Sequence, residues 1–142
     1  MAPPTRVGQA AAMELDDLLA TMPYAQALGM SFTAAAAEQV TATLDWSEER
    51  TTLGGALHGG ALMTLADSCG AVCAYLNLPE GAVGTSTIES KTNLFRGARS
   101  GRVTATTTPL HAGRTTIVVQ TEVRDDDGRL VSLTIQTQAV LA

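Results

Sequence analysis

A glycine-rich run, Gly54-Gly55-Ala56-Leu57-His58-Gly59-Gly60, leads straight into an apolar stretch that carries one carboxylate, Asp67. Glycines at a helix start leave backbone N–H groups open. With the positive end of the helix dipole, those groups suit an oxygen on which negative charge develops. Asp67 is surrounded along the same helix by Ala61, Leu62, Met63, Leu65, Ala66, Ala71, Val72, Tyr75 and Leu76. An unpaired carboxylate is expensive to bury. Asp67 must therefore face a polar cavity or have a partner the sequence does not show. An anion-binding helix start and a lone acid on one helix read as an active site acting on a carbonyl.

The spacing adds a condition. Asp67 lies nine residues after His58, about 13 Å of helical rise. A base or nucleophile and an oxyanion donor must both come within about 3 Å of the reacting group. One helix cannot bring these two groups to one carbonyl. Two copies of the helix, antiparallel across a two-fold axis, can do so, each donor facing the Asp67 of the other chain. The pattern predicts a homodimer with two shared sites, two-fold dimers being the commonest oligomers.

Plainer readings stand beside these. Asp67 could be an acid held by a structural hydrogen bond, and His58 could only orient its loop. Gly59 and Gly60 could serve close helix packing, which is compatible with a donor role. Ser68 follows Asp67 but has no histidine at triad spacing, so it reads as an ordinary helix hydroxyl. Arg96, Arg99, Arg102 and Arg114 gather at two turns. They are either solvated charge or a local positive rim for an anion. Cys69 and Cys73, four apart, read as reduced, buried thiols, and no second pair of metal ligands lies near them.

The chain has 142 residues and a net charge of -5, which fits one domain and argues against nucleic acid as a partner. No basic amphipathic helix and no apolar run of about 18 residues is evident, so no membrane association is expected. Residues 1–12 read as a flexible tail without the apolar core of a secretory signal. The expected location is the cytoplasm.

Short helices are expected over Met13 to Thr21 and from Pro23 to Gly29, where proline starts and glycine stops the turn. Val40, Ala42, Leu44 and Trp46 alternate with Thr41, Thr43 and Asp45, the period of a strand. After a loop over 47–55, one long helix runs from Gly59 to about Asn77. Strands then follow at Thr85 to Phe95, Arg102 to Leu110, Thr115 to Arg124 and Leu130 to Leu141, with turns at 96–101, 111–114 and 125–128. In the last strand Leu133, Ile135, Thr137, Ala139 and Leu141 share one face, and Ser132, Thr134, Gln136 and Gln138 the other. The expected fold is α+β, an antiparallel sheet wrapped around one long central helix.

Over residues 23–141 this layout resembles the hotdog-fold acyl-CoA thioesterases of the phenylacetate-pathway and 4-hydroxybenzoyl-CoA type. The resemblance rests on Tyr24 to Gly29, Leu57-His58-Gly59-Gly60, Leu65-Ala66-Asp67, Asn93-Leu94-Phe95-Arg96, His111-Ala112-Gly113-Arg114-Thr115 and Asp127-Gly128-Arg129-Leu130-Val131, in that order. It implies a single hotdog domain over 13–142 that hydrolyses acyl-CoA thioesters, with aryl or medium-chain acyl groups. The Gly59 N–H, with Gly60, would polarise the carbonyl, and Asp67 of the other subunit would act as nucleophile or general base. It implies no metal and no cofactor, coenzyme A being part of the substrate. Arg96, Arg114 and Thr115 would contact coenzyme A, and Thr87 falls where some relatives hold the attacking water. The dimer could pair into a tetramer. Thr52 departs from the pattern, because the family usually carries Asn or Gln six residues before the motif histidine. That makes a non-catalytic acyl-CoA-binding module one rival; a hotdog dehydratase or hydratase is another, against which the His-Gly-Gly turn counts.

Overall fold

The helix that carries Asp67 is sorted into two faces, and that sorting positions the site. The computed structural model describes residues 13–142; the expected tail, 1–12, lies outside the described residues. Two short helices, α1 (Leu15–Ala20) and α2 (Pro23–Leu28), precede strands β1 (Ser31–Ala35) and β2 (Val40–Asp45). A single 3-10 turn, Glu48–Arg50, leads to the long helix α3 (Gly59–Leu76). Strands β3 (Gly84–Leu94), β4 (Arg102–Ala112), β5 (Thr116–Arg124) and β6 (Leu130–Leu141) follow. All neighbours pair antiparallel in one six-stranded sheet ordered β1-β2-β4-β5-β6-β3. The sheet wraps α3, which touches β2 to β6. This is the hotdog fold.

Leu62, Leu65, Ala66, Cys69, Cys73 and Leu76 turn inward on α3 at spacings of three and four, each at most 3% exposed. They meet Val103, Ala105, Ile117, Val119 and Val131 of the sheet. Gly60, Met63 and Asp67 continue a second stripe on which the helix is open, with Thr64, Ala71 and Tyr75 half-buried beside them. By length and mean hydropathy, 1.2, α3 could cross a membrane, although the sequence suggested no such run. The sheet takes up that apolar surface, burying 61% of the helix.

Two elements differ from expectation. β1 was not anticipated, because only Phe32 of its five residues is buried and a bulge near Thr33 breaks its alternation. The turn expected at 111–114 starts late, since β4 continues through a bulge after Pro109 to Ala112. Proline cannot donate to the ladder, so a bulge beside it is a natural accommodation.

On β6 the polar side is the buried one. Ser132, Thr134, Gln136 and Gln138 are each at most 1% exposed, whereas Ile135 is 41% exposed on the opposite face. Buried polar groups need partners, and the threonines find one another: Thr92 with Thr134 and Thr107 with Thr121, each pair 2.7 Å apart. Gln136 reaches α3, and Gln138 reaches Thr87 of β3.

Truncating Leu65, which is fully buried on the inward face of α3, is expected to lower unfolding free energy by about 2–5 kcal/mol. Urea denaturation of Leu65→Ala checks this.

Candidate active site

The start of α3 is built by a small hairpin. Thr51 bridges Leu57, the Thr52 N–H donates to the Ala56 carbonyl at 2.8 Å, and the Gly55 N–H donates to the Thr52 carbonyl at 3.0 Å. Trp46 Nε1 holds the Gly55 carbonyl at 2.9 Å. The Arg50 carbonyl accepts from the His58 N–H at 2.8 Å. The Arg50 guanidinium donates to the carbonyls of Leu28 and Asp45, at 2.7 and 2.9 Å. It lies across Gly29, whose φ of 90° ends α2 and where any Cβ would collide with the guanidinium. One arginine thus ties α2, β2 and the loop into α3.

His58 is the N-cap. Its Nδ1 accepts from the Gly60 N–H at 2.8 Å, so the neutral imidazole carries its proton on Nε2. Ala61 and Leu62 donate to the His58 carbonyl. These bonds use the Gly60, Ala61 and Leu62 donors inside the cap, and the Gly59 N–H has no hydrogen-bond partner among the described residues. Gly60 is needed for another reason: a Cβ there would lie 2.9 Å from Nδ1 of the ring that caps it.

Two turns further on, Asp67 opens onto a groove of about 540 Å³ lined by Met22, Tyr24, Met63, Thr64, Ala71 and Ser90, among others. A second cavity, of about 570 Å³, shares Met22 and Ala71 with it and continues past Leu18, Val72 and Tyr75. The partner that Asp67 required comes from β6. Gln136 Nε2 donates to Asp67 Oδ1 at 2.8 Å and lies 3.4 Å from Thr87 Oγ1, which also accepts from Gln138 Nε2 at 2.7 Å. Burial among protein atoms pushes the Asp67 pKa up, and the Gln136 hydrogen bond pulls it partly back.

The expected site residues fall into separate groups. Asp67 and Thr87 come together through Gln136. His58, Gly59 and Gly60 sit about 12 Å away along α3, eight residues of rise from Gly59 to Asp67. Thr52 is exposed in the hairpin. Arg96 and Arg114 do not cluster. Phe95 donates to Val131, and Val140 donates to Thr115, so the two arginines flank opposite ends of β6, about 30 Å apart at strand rise. Arg102 is bound to Asp45 at 2.6 Å and Arg99 reaches the Gly54 carbonyl. Ser68 donates to the Thr64 carbonyl within its own helix. Burial pushes the Cys69 and Cys73 thiols up to about 12 and about 11, so both stay protonated and unreactive. Among the described residues, no group of His, Cys, Asp and Glu is arranged to hold a metal.

Gln136, Gln138 and Gly70 were not singled out from the sequence as site residues. Their trace is there: an alternating strand with one polar and one apolar side must bury one of them, and two adjacent glutamines on the buried side call for a polar partner opposite.

Residues 54–132 match the profile of the Thioesterase superfamily. A Pseudomonas aeruginosa esterase, PA1618, is 37% identical over 114 residues, 80% of this chain and 79% of its own. The chain belongs to the thioesterase superfamily. Its general activity is thioester hydrolysis. The 1,4-dihydroxy-2-naphthoyl-CoA hydrolase of Escherichia coli is 42% identical over 87 residues, 61% of this chain and 63% of that one. Among solved structures, thioesterase HI1161 of Haemophilus influenzae superposes with a TM-score of 0.83 at 29% identity, covering 92% of each chain. A variant of thioesterase PA1618 gives 0.84 at 34% identity, covering 92% of this chain and 95% of that one.

The raised pKa of Asp67 has a consequence for stability. A carboxyl whose folded pKa lies above its unfolded value favours the folded state below the unfolded pKa and loses that contribution as pH rises through the folded pKa. Asp67→Asn is therefore expected to be more stable than the wild type at pH 7 and to lose the advantage below the carboxylate range. Denaturant midpoints at the two pH values test the sign.

Proposed function

We propose that this enzyme hydrolyses acyl-CoA thioesters with aryl or medium-chain acyl groups, using Asp67 of one protomer and the Gly59 N–H of its partner at each of two shared sites. The observation that carries the proposal is the arrangement of α3. A free backbone donor stands at its start, a partly desolvated carboxylate opens onto an apolar groove about 12 Å further on, and no single chain unites them. The thioester carbonyl oxygen accepts from Gly59 under the positive end of the helix. Asp67 either attacks the carbonyl carbon, expelling the coenzyme A thiolate and leaving an acyl-aspartyl anhydride that water then hydrolyses, or takes a proton from the water that attacks. The proton released by that water goes to the departing thiolate, so the products are the free acid and the coenzyme A thiol. No metal or cofactor enters these steps. Arg96, Arg114 and Thr115 are proposed contacts for the phosphates of coenzyme A. Their separation in one chain means that a single protomer does not bring both arginines to the same site.

The surface around the first half of α3 supports the dimer. Met63, midway between Gly59 and Asp67, is 44% exposed, and Leu53, Leu94 and Phe95 are 98%, 52% and 55% exposed. β3 is an eleven-residue edge strand with Ile88 also open. A long unpaired edge beside exposed apolar side chains is covered in stable proteins, and a second copy of the chain is the proposed cover. Two unpaired, buried cysteines fit a reducing cytoplasm.

Thiol release from benzoyl-CoA and octanoyl-CoA is expected to fall at least about a hundredfold in Asp67→Ala. Gly59→Pro removes the donor at a position where proline suits the helix start, and is expected to be similarly impaired. Mixed dimers of the two variants carry one intact site, so random mixing should restore about a quarter of wild-type activity. No restoration in verified mixed dimers would place both groups in one chain.

A further inference from the structure

We propose that Gln136 is a positioning residue for the reaction: its side-chain amide, fixed beneath α3 against Gly70, fastens Asp67 Oδ1 and leaves Oδ2 as the oxygen that meets the thioester or the water. This rests on the reading of Asp67 as the reacting carboxylate.

Three observations converge on it. The amide is oriented. Its nitrogen points to Asp67 Oδ1 at 2.8 Å and to Thr87 Oγ1 at 3.4 Å, so a flip would set its oxygen against a carboxylate oxygen. Thr87 is itself held by Gln138, at 2.7 Å, directly before the β3 bulge between Thr87 and Glu89. Bulges often mark places where a strand re-aims a side chain beside an active site.

The helix is also shaped to admit the amide. A Cβ on Gly70 would overlap Gln136 Oε1 and come within 3.3 Å of Val119 Cγ2. Glycine weakens a helix interior, and here it opens the space into which a strand side chain reaches. Asp67 and Gly70 lie three apart, on neighbouring turns of α3, so one amide spans from the gap at Gly70 to the carboxylate.

The arrangement is also poor for structure alone. Gln136 is 1% exposed, and its Oε1 is buried with no hydrogen-bond partner. A leucine of similar volume would fill the space without an orphaned acceptor. What an aliphatic side chain cannot supply is the hydrogen bond to Asp67. With Oδ1 so occupied, the carboxylate cannot rotate freely, and the same bond favours its ionised form against the desolvation that opposes it.

The test is Gln136→Leu in the full chain, with kcat and KM for benzoyl-CoA followed by thiol release from pH 4 to 9, and with Gln136→Asn as a polar but shorter companion. Both variants are expected to lose at least about tenfold in kcat with KM within about twofold, as for loss of an interaction felt in the transition state. The acid limb of kcat/KM should move to higher pH in Gln136→Leu, because an unfastened, desolvated carboxylate ionises less readily. A wild-type rate and an unmoved limb in folded variants would overturn the proposal and leave Gln136 a packing residue. Rates that fall in step with loss of folded protein, with the limb unmoved, would overturn it equally. Full activity of Asp67→Ala would instead overturn the reading of Asp67 beneath it, and that result is seen without touching Gln136.

Discussion

A concave sheet can cover a helix only part of the way round, and the uncovered stripe of α3 sets the rest of this molecule. Its inward face is filled by leucines, cysteines and alanines against the β-branched residues of β4, β5 and β6. That burial, the dominant favourable term in folding, fixes the rotation of the helix. Once the rotation is fixed, Gly60, Met63 and Asp67 have no choice but to lie along the opening. The acid is placed by where its neighbours must go. β3 runs beside this stripe in the opposite direction, with Leu94 near Gly59 and Ser90 near Asp67. The groove is the seam between them.

The seam also explains why the last strand is polar on its buried side. An apolar interior cannot hold a carboxylate at its rim without a donor, and the donor must come from the layer beneath the helix. Gln136 provides it, and the buried threonine pairs along β3 to β6 satisfy one another in the same layer. Hydrogen-bonded polar pairs in a sheet interior add little net stability. They do fix register, since a slip of one residue would exchange every polar side chain for an apolar one.

Much of this was legible in the sequence, for identifiable reasons. The helix 59–76 was readable because glycines and a histidine cap sit immediately before an apolar run, and β5, the Asp-Gly turn and β6 because alternation there is regular. β1 was not readable, since Ala34 to Ala37 carry no contrast between faces and only Phe32 marks the core. The site was half legible. Asp67 stood out by its mismatch with its neighbours, which called for a polar cavity or an unseen partner; the structure supplies the partner, Gln136, while the groove beside the acid is mostly apolar. The partner itself lies 69 residues away in sequence, and local spacing carries no information about such a contact. The two arginines, close to turns in the sequence, are parted by the length of a strand for the same reason.

The cap at His58 and the carboxylate at Asp67 draw on the helix in opposite ways. His58 Nδ1 satisfies the Gly60 N–H, and by doing so reduces the donors at the helix start to the one at Gly59. A cap that satisfied Gly59 as well would make a more stable helix and remove the donor proposed for the thioester oxygen. Asp67 is likewise held where its charge is partly desolvated, a worse place for stability than open water and one that suits the reacting role proposed for it. Unused donor and uncomfortable acid are two local departures from what folding alone would select, and they occupy one helix. The large, apolar inward face of α3 is what makes both tolerable, because it secures the helix without help from either end of the open stripe.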